Sequence, residues 1–247
     1  DKPEVRKQHT NSMVRLGGIS ILFGFLMSLF LYDIFFQTQF ILTNFKLLAI
    51  ILSFFLTGIV DDIFKTSPWT RLIIEIVLAT FAWMSNFGIY AIDFSFSNSS
   101  DYLILLPKIL SYLITLFWIV GITNAINWID GLDGLASGIV CICAIGMTYI
   151  SFDFNNFNEV IFLVAIIGVC VGFLKSNFFP AKILMGDGGS YLLGFCIAIL
   201  SIQGSTRNLD YNSDLISTSI LIPFIILSLP LLDMTYVILK RIYLNKS

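Results

Sequence analysis

The sequence predicts an all-α, polytopic membrane helical bundle with about eight transmembrane helices, and three observations predict it. Hydrophobic residues fill 57% of the 247 positions and charged ones only 12%, where soluble domains carry about a quarter charged. Phe alone occurs 24 times. Apolar runs of a length that crosses the hydrocarbon core, about 20 residues, recur between turn and charge signals.

Read in order, the candidate spans cover 17–36, 44–60, 71–92, 103–126, 136–152, 159–176, 189–204 and 216–238. The second runs into the paired acids Asp61 and Asp62, and the third starts from Arg71. The fourth ends in "NAINWIDGLDGLA", "KSNFFPAKILMGDGGS" joins the sixth to the seventh, and "PLLDMTYVILKR" closes the eighth. No internal repeat or low-complexity linker interrupts the pattern, so residues 1–247 read as one integral-membrane domain.

Loop charge orients the bundle. With residues 1–16 on the cytoplasmic side, that side holds Lys2, Arg6, Lys7, Arg15, Lys65, Arg71, Lys175, Lys182, Lys240, Arg241 and Lys246; the other holds Lys46, Lys108 and Arg207. Such an excess is the positive-inside pattern. Two crossings separate each polar cluster from the next, so all four clusters emerge on the cytoplasmic face.

Composition also excludes. The basic residues form no continuous stripe, which argues against nucleic acid. Cys141, Cys143, Cys170 and Cys196 all fall inside spans without a CxxC pair and read as inert thiols. No P-loop, GxGxxG or HExxH pattern occurs. The one histidine, His9, sits in a basic segment and reads as solvated, which removes a serine hydrolase.

The polar clusters carry the chemistry. Adjacent carboxylates at Asp61 and Asp62 repel unless a cation lies between them or one is protonated; a solvated helix end is the plain alternative. Asn124, Asn127 and Asp130 are spaced by three and share one slowly drifting helix face. Gly131 and Gly134 favour ending that helix and bringing backbone near a ligand. Amide and carboxylate oxygens, with no His or Cys beside them, suit a hard cation such as Mg²⁺ rather than zinc. Asp187 precedes Gly188, Gly189 and Ser190, whose N–H groups would open a helix as an anion site. Lys65 and Arg71 flank the acid pair, and Lys175 and Lys182 flank Asn177; they neutralise a diphosphate or anchor helices at the headgroups. Glu75, four residues after Arg71, reads as its ion-pair partner, and Asp233 as that of Lys240 or Arg241.

The motifs "DKPEVRKQH…RLGGISI", "GIVDD", "NAINWIDGLDGLA", "NFFPAKILMGDGGSYLLG" and "PLLDMTYVILKR" occur in the order of a known family. The chain resembles the polyprenyl-phosphate N-acetylhexosamine-1-phosphate transferases, and the branch using UDP-N-acetylglucosamine more than the muramoyl-pentapeptide branch. The resemblance implies attack of undecaprenyl phosphate on a UDP-N-acetylhexosamine, with release of UMP, at the cytoplasmic face of a bacterial inner membrane. It implies Mg²⁺, or Mn²⁺ in its place, held by Asn127 and Asp187. Asp61 and Asp62 would line the lipid-phosphate approach, one as a candidate base, although a phosphate near its second pKa needs none. Asp130 and Asp133 would hold the nucleotide end or the metal's waters, and Asn124, Asn177, Lys65 and Arg71 would contact substrate. A homodimer is open to such a chain. Family members carry a span ahead of the position of Asp1 and a His-containing loop beyond Ser247, and have Pro where Val14 stands, so the chain reads as a fragment. The rival class is a cation-coupled transporter, which expects acids near the midplane and repeat symmetry. A CDP-alcohol phosphatidyltransferase lacks support because no Arg follows "DGLDGLA".

Overall fold

A computed structural model describes residues 15–93, 103–208, 216–218 and 221–243. His9 and the first basic segment lie outside the described residues.

The chain is mainly helical, with a small sheet at one end. Helix α1 covers Gly17–Phe36, α2 Phe40–Thr43, α3 Phe45–Phe64 and α4 Pro68–Met84; α5 covers Lys108–Ile129, α6 Leu135–Asp153 and α7 Phe157–Asn177; α8 covers Gly186–Gly204, α9 Leu221–Ile226 and α10 Ser228–Tyr243. Among the described residues, five of these are long and apolar enough to cross a membrane: α1, α3, α5, α6 and α7. They overlap the expected spans at 17–36, 44–60, 103–126, 136–152 and 159–176, the fourth starting at Lys108 because residues 103–105 form a strand. Phe, Leu and Ile side chains exposed along them, including Phe23, Phe30, Phe117 and Ile142, form the outward surface that lipid covers.

The other three expected spans differ. Helix α4 starts cleanly, with Pro68 at its first position and the Ser67 hydroxyl accepting from Thr70 N. It stops at Met84 because Asn86 turns the chain with φ 68°. Residues 91–93 then form a strand rather than the end of a span. The stretch 216–238 divides into a strand, α9 and α10, interrupted at Leu227. The seventh span lies within α8.

Strands β1 (Ala91–Asp93), β2 (Leu103–Leu105), β3 (Thr206–Asn208) and β4 (Ile216–Thr218) form one sheet in the order β2-β1-β4-β3. Its β1–β4 pair is parallel and the two outer pairs are antiparallel. Each strand has three residues, too short to interrupt a hydropathy pattern, which is why an all-helical chain was the expectation. The sheet caps the end where α4 and α8 finish and α5 begins.

Helix α8 is the axis. Of its 19 residues, all but Asp187 and Gln203 are buried, and α1, α3, α5, α6 and α7 all pack on it. Glycines allow its N-terminal turn to sit so deep. A Cβ on Gly58 of α3 would stand 2.2 Å from Asp187 O, and one on Gly18 of α1 would stand 2.4 Å from Gly189 N. Close backbone approach through small residues is how helices pack where lipid removes the hydrophobic drive. The start of α8 is thus wedged between the last part of α3 and the start of α1, opposite the sheet.

Candidate active site

The carboxylates gather around that wedged N-terminus. Asp61 and Asp62 sit in the last turn of α3. Asn127 lies in the last turn of α5, Asp130 immediately after it, and Asp187 in the first turn of α8. Asn127 Nδ2 donates to Asp187 Oδ1 at 3.0 Å and to Ser190 Oγ at 2.8 Å. The Asp187 carboxyl in turn adjoins those of Asp61 and Asp62. Residues 61, 62, 127, 130 and 187 therefore form one cluster.

Within it the two adjacent acids do different things. Asp61 Oδ1 accepts from Thr66 N at 2.8 Å and Thr66 Oγ1 at 2.6 Å, and its Oδ2 accepts from Arg71 Nη1 at 2.7 Å. Both oxygens are committed to holding the α3–α4 turn. Asp62 Oδ2 accepts from Gly188 N at 3.0 Å, so α3 supplies a cap to α8 that Met185, the residue at the cap position, does not. Its Oδ1 is buried, accepts no hydrogen bond among the described residues, and lies 3.9 Å from Arg15 Nη1. This corrects the expected phosphate nest at Gly188–Ser190: the chain's own Asp62 takes the Gly188 donor, and the Gly186 N–H serves Asp130.

Asp130, in the α5–α6 connection, is pushed well above the usual carboxylate range by burial and then by the charge of Asp187, with Asp62 adding to it and Arg15 opposing. Asp187, in the first turn of α8, faces Asp61 and Asp62. Among the described residues, Arg15 and Arg71 are the cations paired with acids of this cluster. A hard divalent cation fits the cluster: every donor is an oxygen, and one buried carboxylate oxygen lacks a hydrogen bond. Among the described residues no set of three or more His, Cys, Asp or Glu side chains closes around an ion. The fit is therefore to a cation such as Mg²⁺ that keeps several water or phosphate ligands.

The remaining expected residues fall elsewhere. Asn177 is buried, and its amide is spent within the fold: Oδ1 accepts from Gly134 N at 3.0 Å and Nδ2 donates to Ile183 O at 3.0 Å. Asp133 Oδ2 accepts from Ala181 N at 2.9 Å. These two tie the α5–α6 and α7–α8 connections together. Lys65 is exposed in the left-handed conformation that ends α3. Arg71 serves Asp61. Asn124 points into the bundle, donating to Glu75 Oε2 and to Val120 O. Among the described residues Asp233 forms no ion pair with Lys240, which lies over the Tyr236 ring; the side chain of Arg241 is outside the described residues.

Three residues escaped the sequence reading. Thr66 and Arg15 were hidden by ordinary loop and charge readings. Glu75 was assigned to Arg71, yet among the described residues no such pair forms; it is 1% exposed and bonded to Asn124. An acid within an apolar helix is a functional signal in its own right.

Comparison with known proteins gives the family. A family model described as glycosyl transferase family 4 matches residues 44–205, which contain all ten expected site residues. Over its whole length the chain is 36% identical to a probable undecaprenyl-phosphate N-acetylglucosaminyl 1-phosphate transferase of Bacillus subtilis, and it covers 65% of that protein. It is 29% identical, over 99% of its length, to a decaprenyl-phosphate N-acetylglucosaminephosphotransferase of Mycobacterium leprae, of which it again covers 65%. A phospho-N-acetylmuramoyl-pentapeptide-transferase of Lactobacillus johnsonii is 34% identical over 65% of the chain, which spans 52% of that relative.

Proposed function

The chain belongs to glycosyl transferase family 4, and we propose that it transfers N-acetylglucosamine-1-phosphate from UDP-N-acetylglucosamine to undecaprenyl phosphate, releasing UMP. The observation that carries this reading is the junction of Asn127 and Asp187, 3.0 Å apart, within a ring of carboxylates at one end of an apolar bundle. The basic residues Arg15, Lys65 and Arg71 lie at that end, so we read it as the cytoplasmic face of a bacterial inner membrane. Helices α4, α8 and the α9–α10 pair complete the expected eight crossings in this reading.

The chemistry joins two anions. An oxygen of the lipid phosphate attacks the β-phosphorus of the UDP-sugar and forms a new P–O bond. The bond from that phosphorus to the bridging oxygen breaks, and UMP departs with that oxygen. Asp187 and Asn127 would hold Mg²⁺, and Asp130 and Asp62 would accept hydrogen bonds from its waters. When bound, Mg²⁺ supplies Lewis acidity and a template for the diphosphate. Arg71 locks Asp61, whose carboxylate then fixes the α3–α4 turn. Asp62 retains an oxygen without a hydrogen bond and is the better of the pair to take a proton from a singly ionised lipid phosphate.

A transporter reading gains nothing from the fold: the acids cluster at one end rather than at the midplane. The test is a donor screen on purified protein in undecaprenyl-phosphate micelles, following UMP. Release with UDP-N-acetylglucosamine and Mg²⁺, abolished by EDTA, is the expected result. No UMP from any UDP-N-acetylhexosamine would sink the proposal.

A further inference from the structure

Among the described residues, Glu75 is the one fully buried acid that the proposed reaction leaves unused. It lies on α4, one turn after Arg71, and 1% of its surface is exposed. Its Oε2 accepts from Asn124 Nδ2 of α5, and its Oε1 accepts no hydrogen bond among the described residues. The Tyr191 side chain of α8, itself 1% exposed, lies beside it.

The helical spacing of those two neighbours gives the contact its meaning. Asn124 precedes Asn127 by three residues on α5, and Tyr191 follows Asp187 by four on α8; both offsets lie on one helix face. Glu75 thus sits one turn deeper than the Asn127–Asp187 junction and touches both helices that form it. On α4 itself, Arg71 reaches Asp61 of α3 at 2.7 Å. Arg71 and Glu75 together span the three helices whose ends make the carboxylate cluster.

We infer that Glu75 is a positioning residue: through its hydrogen bond with Asn124 and its contact with Tyr191, it sets the depth of α5 against α8 and so the approach of Asn127 to Asp187. The inference rests on the magnesium reading above for its consequence, though not for the contact itself. What the contact requires is an acceptor for the Asn124 amide. A glutamine supplies one and keeps the length of the side chain; a leucine fills the space and supplies none. Buried donors left without acceptors are costly, above all in an apolar bundle.

The test uses purified protein in micelles and Mn²⁺ as a spectroscopic probe of the metal site, with Glu75→Gln, Glu75→Leu, Asn124→Leu and the Glu75→Leu/Asn124→Leu double variant. The expected result is Mn²⁺ affinity within about threefold of wild type for Glu75→Gln, and at least about tenfold weaker for Glu75→Leu. Turnover falls with the affinity while KM for the UDP-sugar moves little. The double variant is expected to be no worse than Glu75→Leu alone, in Mn²⁺ affinity and in thermal midpoint. A Glu75→Leu protein that binds Mn²⁺ like wild type, or a Glu75→Gln protein as weak as Glu75→Leu, would overturn the inference. If wild type itself neither binds Mn²⁺ nor releases UMP, the functional reading fails. The thermal midpoints then decide for Glu75: additive losses from the two single variants would overturn it, and non-additive losses sustain the contact.

Discussion

Arg71 Nη1 lies 2.7 Å from Asp61 Oδ2, while Thr66 occupies the other oxygen of the same carboxylate. Asp61 is therefore a fixed anchor of the α3–α4 turn. Charge-assisted hydrogen bonds of this kind contribute about 1.5–3 kcal/mol each, reduced here because the Arg71 side chain is 26% exposed. Asp61→Ala is expected to lower the thermal midpoint of the purified protein, and Arg71→Ala to lower it similarly. The double variant should be no worse than either single one. Additive losses would show that the pair is not coupled.

Asp130 presents the opposite case. Its carboxyl faces Asp187 and Asp62 and is driven up by burial. Replacing it removes a carboxyl whose ionisation Asp187 and Asp62 oppose and a bound cation would favour. Asp130→Asn is expected to stabilise the metal-free protein by about 0.5–2 kcal/mol, the usual gain when a site tuned for function is relaxed, and to lower UMP release at least tenfold. The check is a thermal midpoint in EDTA set beside turnover in Mg²⁺.

Gly58 tests the wedge that places Asp187. A methyl group there would meet Asp187 O at 2.2 Å, and backbone cannot yield cheaply. Gly58→Ala should destabilise by about 1–3 kcal/mol, as overpacking does, and turnover should fall further than stability alone explains. Gly138 in α6 has nothing within 4 Å of the same added atom. Gly138→Ala should be neutral or gain about 0.5–1 kcal/mol from helix propensity.

Asn177 separates a structural amide from a substrate contact. Asn177→Ala leaves the Gly134 N–H and the Ile183 carbonyl without their partner, at about 1–3 kcal/mol for such buried groups. The thermal midpoint should drop, while KM for the UDP-sugar in the folded fraction stays within about threefold of wild type. A large rise in KM without loss of stability would restore Asn177 to the substrate site.

Much of this was legible in the sequence, and unevenly so. Long apolar runs mark α1, α3, α5, α6 and α7 because lipid imposes one chemistry on every outward face. The spacing of Asn124, Asn127 and Asp130 put them on one helix, yet could not say that Asn124 turns inward to Glu75 while Asn127 meets Asp187. That division depends on where α4 and α8 lie, which no local pattern encodes. The Gly-rich start of α8 reads as a phosphate site, but its Gly188 donor goes to the chain's own Asp62, supplied from 126 positions away, a long-range pairing that no local pattern encodes. The strands stayed hidden because three residues at the end of an apolar run carry no period of their own.

Asp187→Asn tests the central claim most directly, that Asn127 of α5 and carboxylates from α3, α8 and the α5–α6 connection converge to hold one divalent cation against a diphosphate. The substitution keeps shape and an acceptor for Asn127 but removes the charge. UMP release from UDP-N-acetylglucosamine, measured in undecaprenyl-phosphate micelles across a Mg²⁺ titration, should fall at least about a hundredfold, with a higher Mg²⁺ requirement and an intact thermal midpoint. A variant that releases UMP at the wild-type rate with unchanged Mg²⁺ dependence would contradict the account.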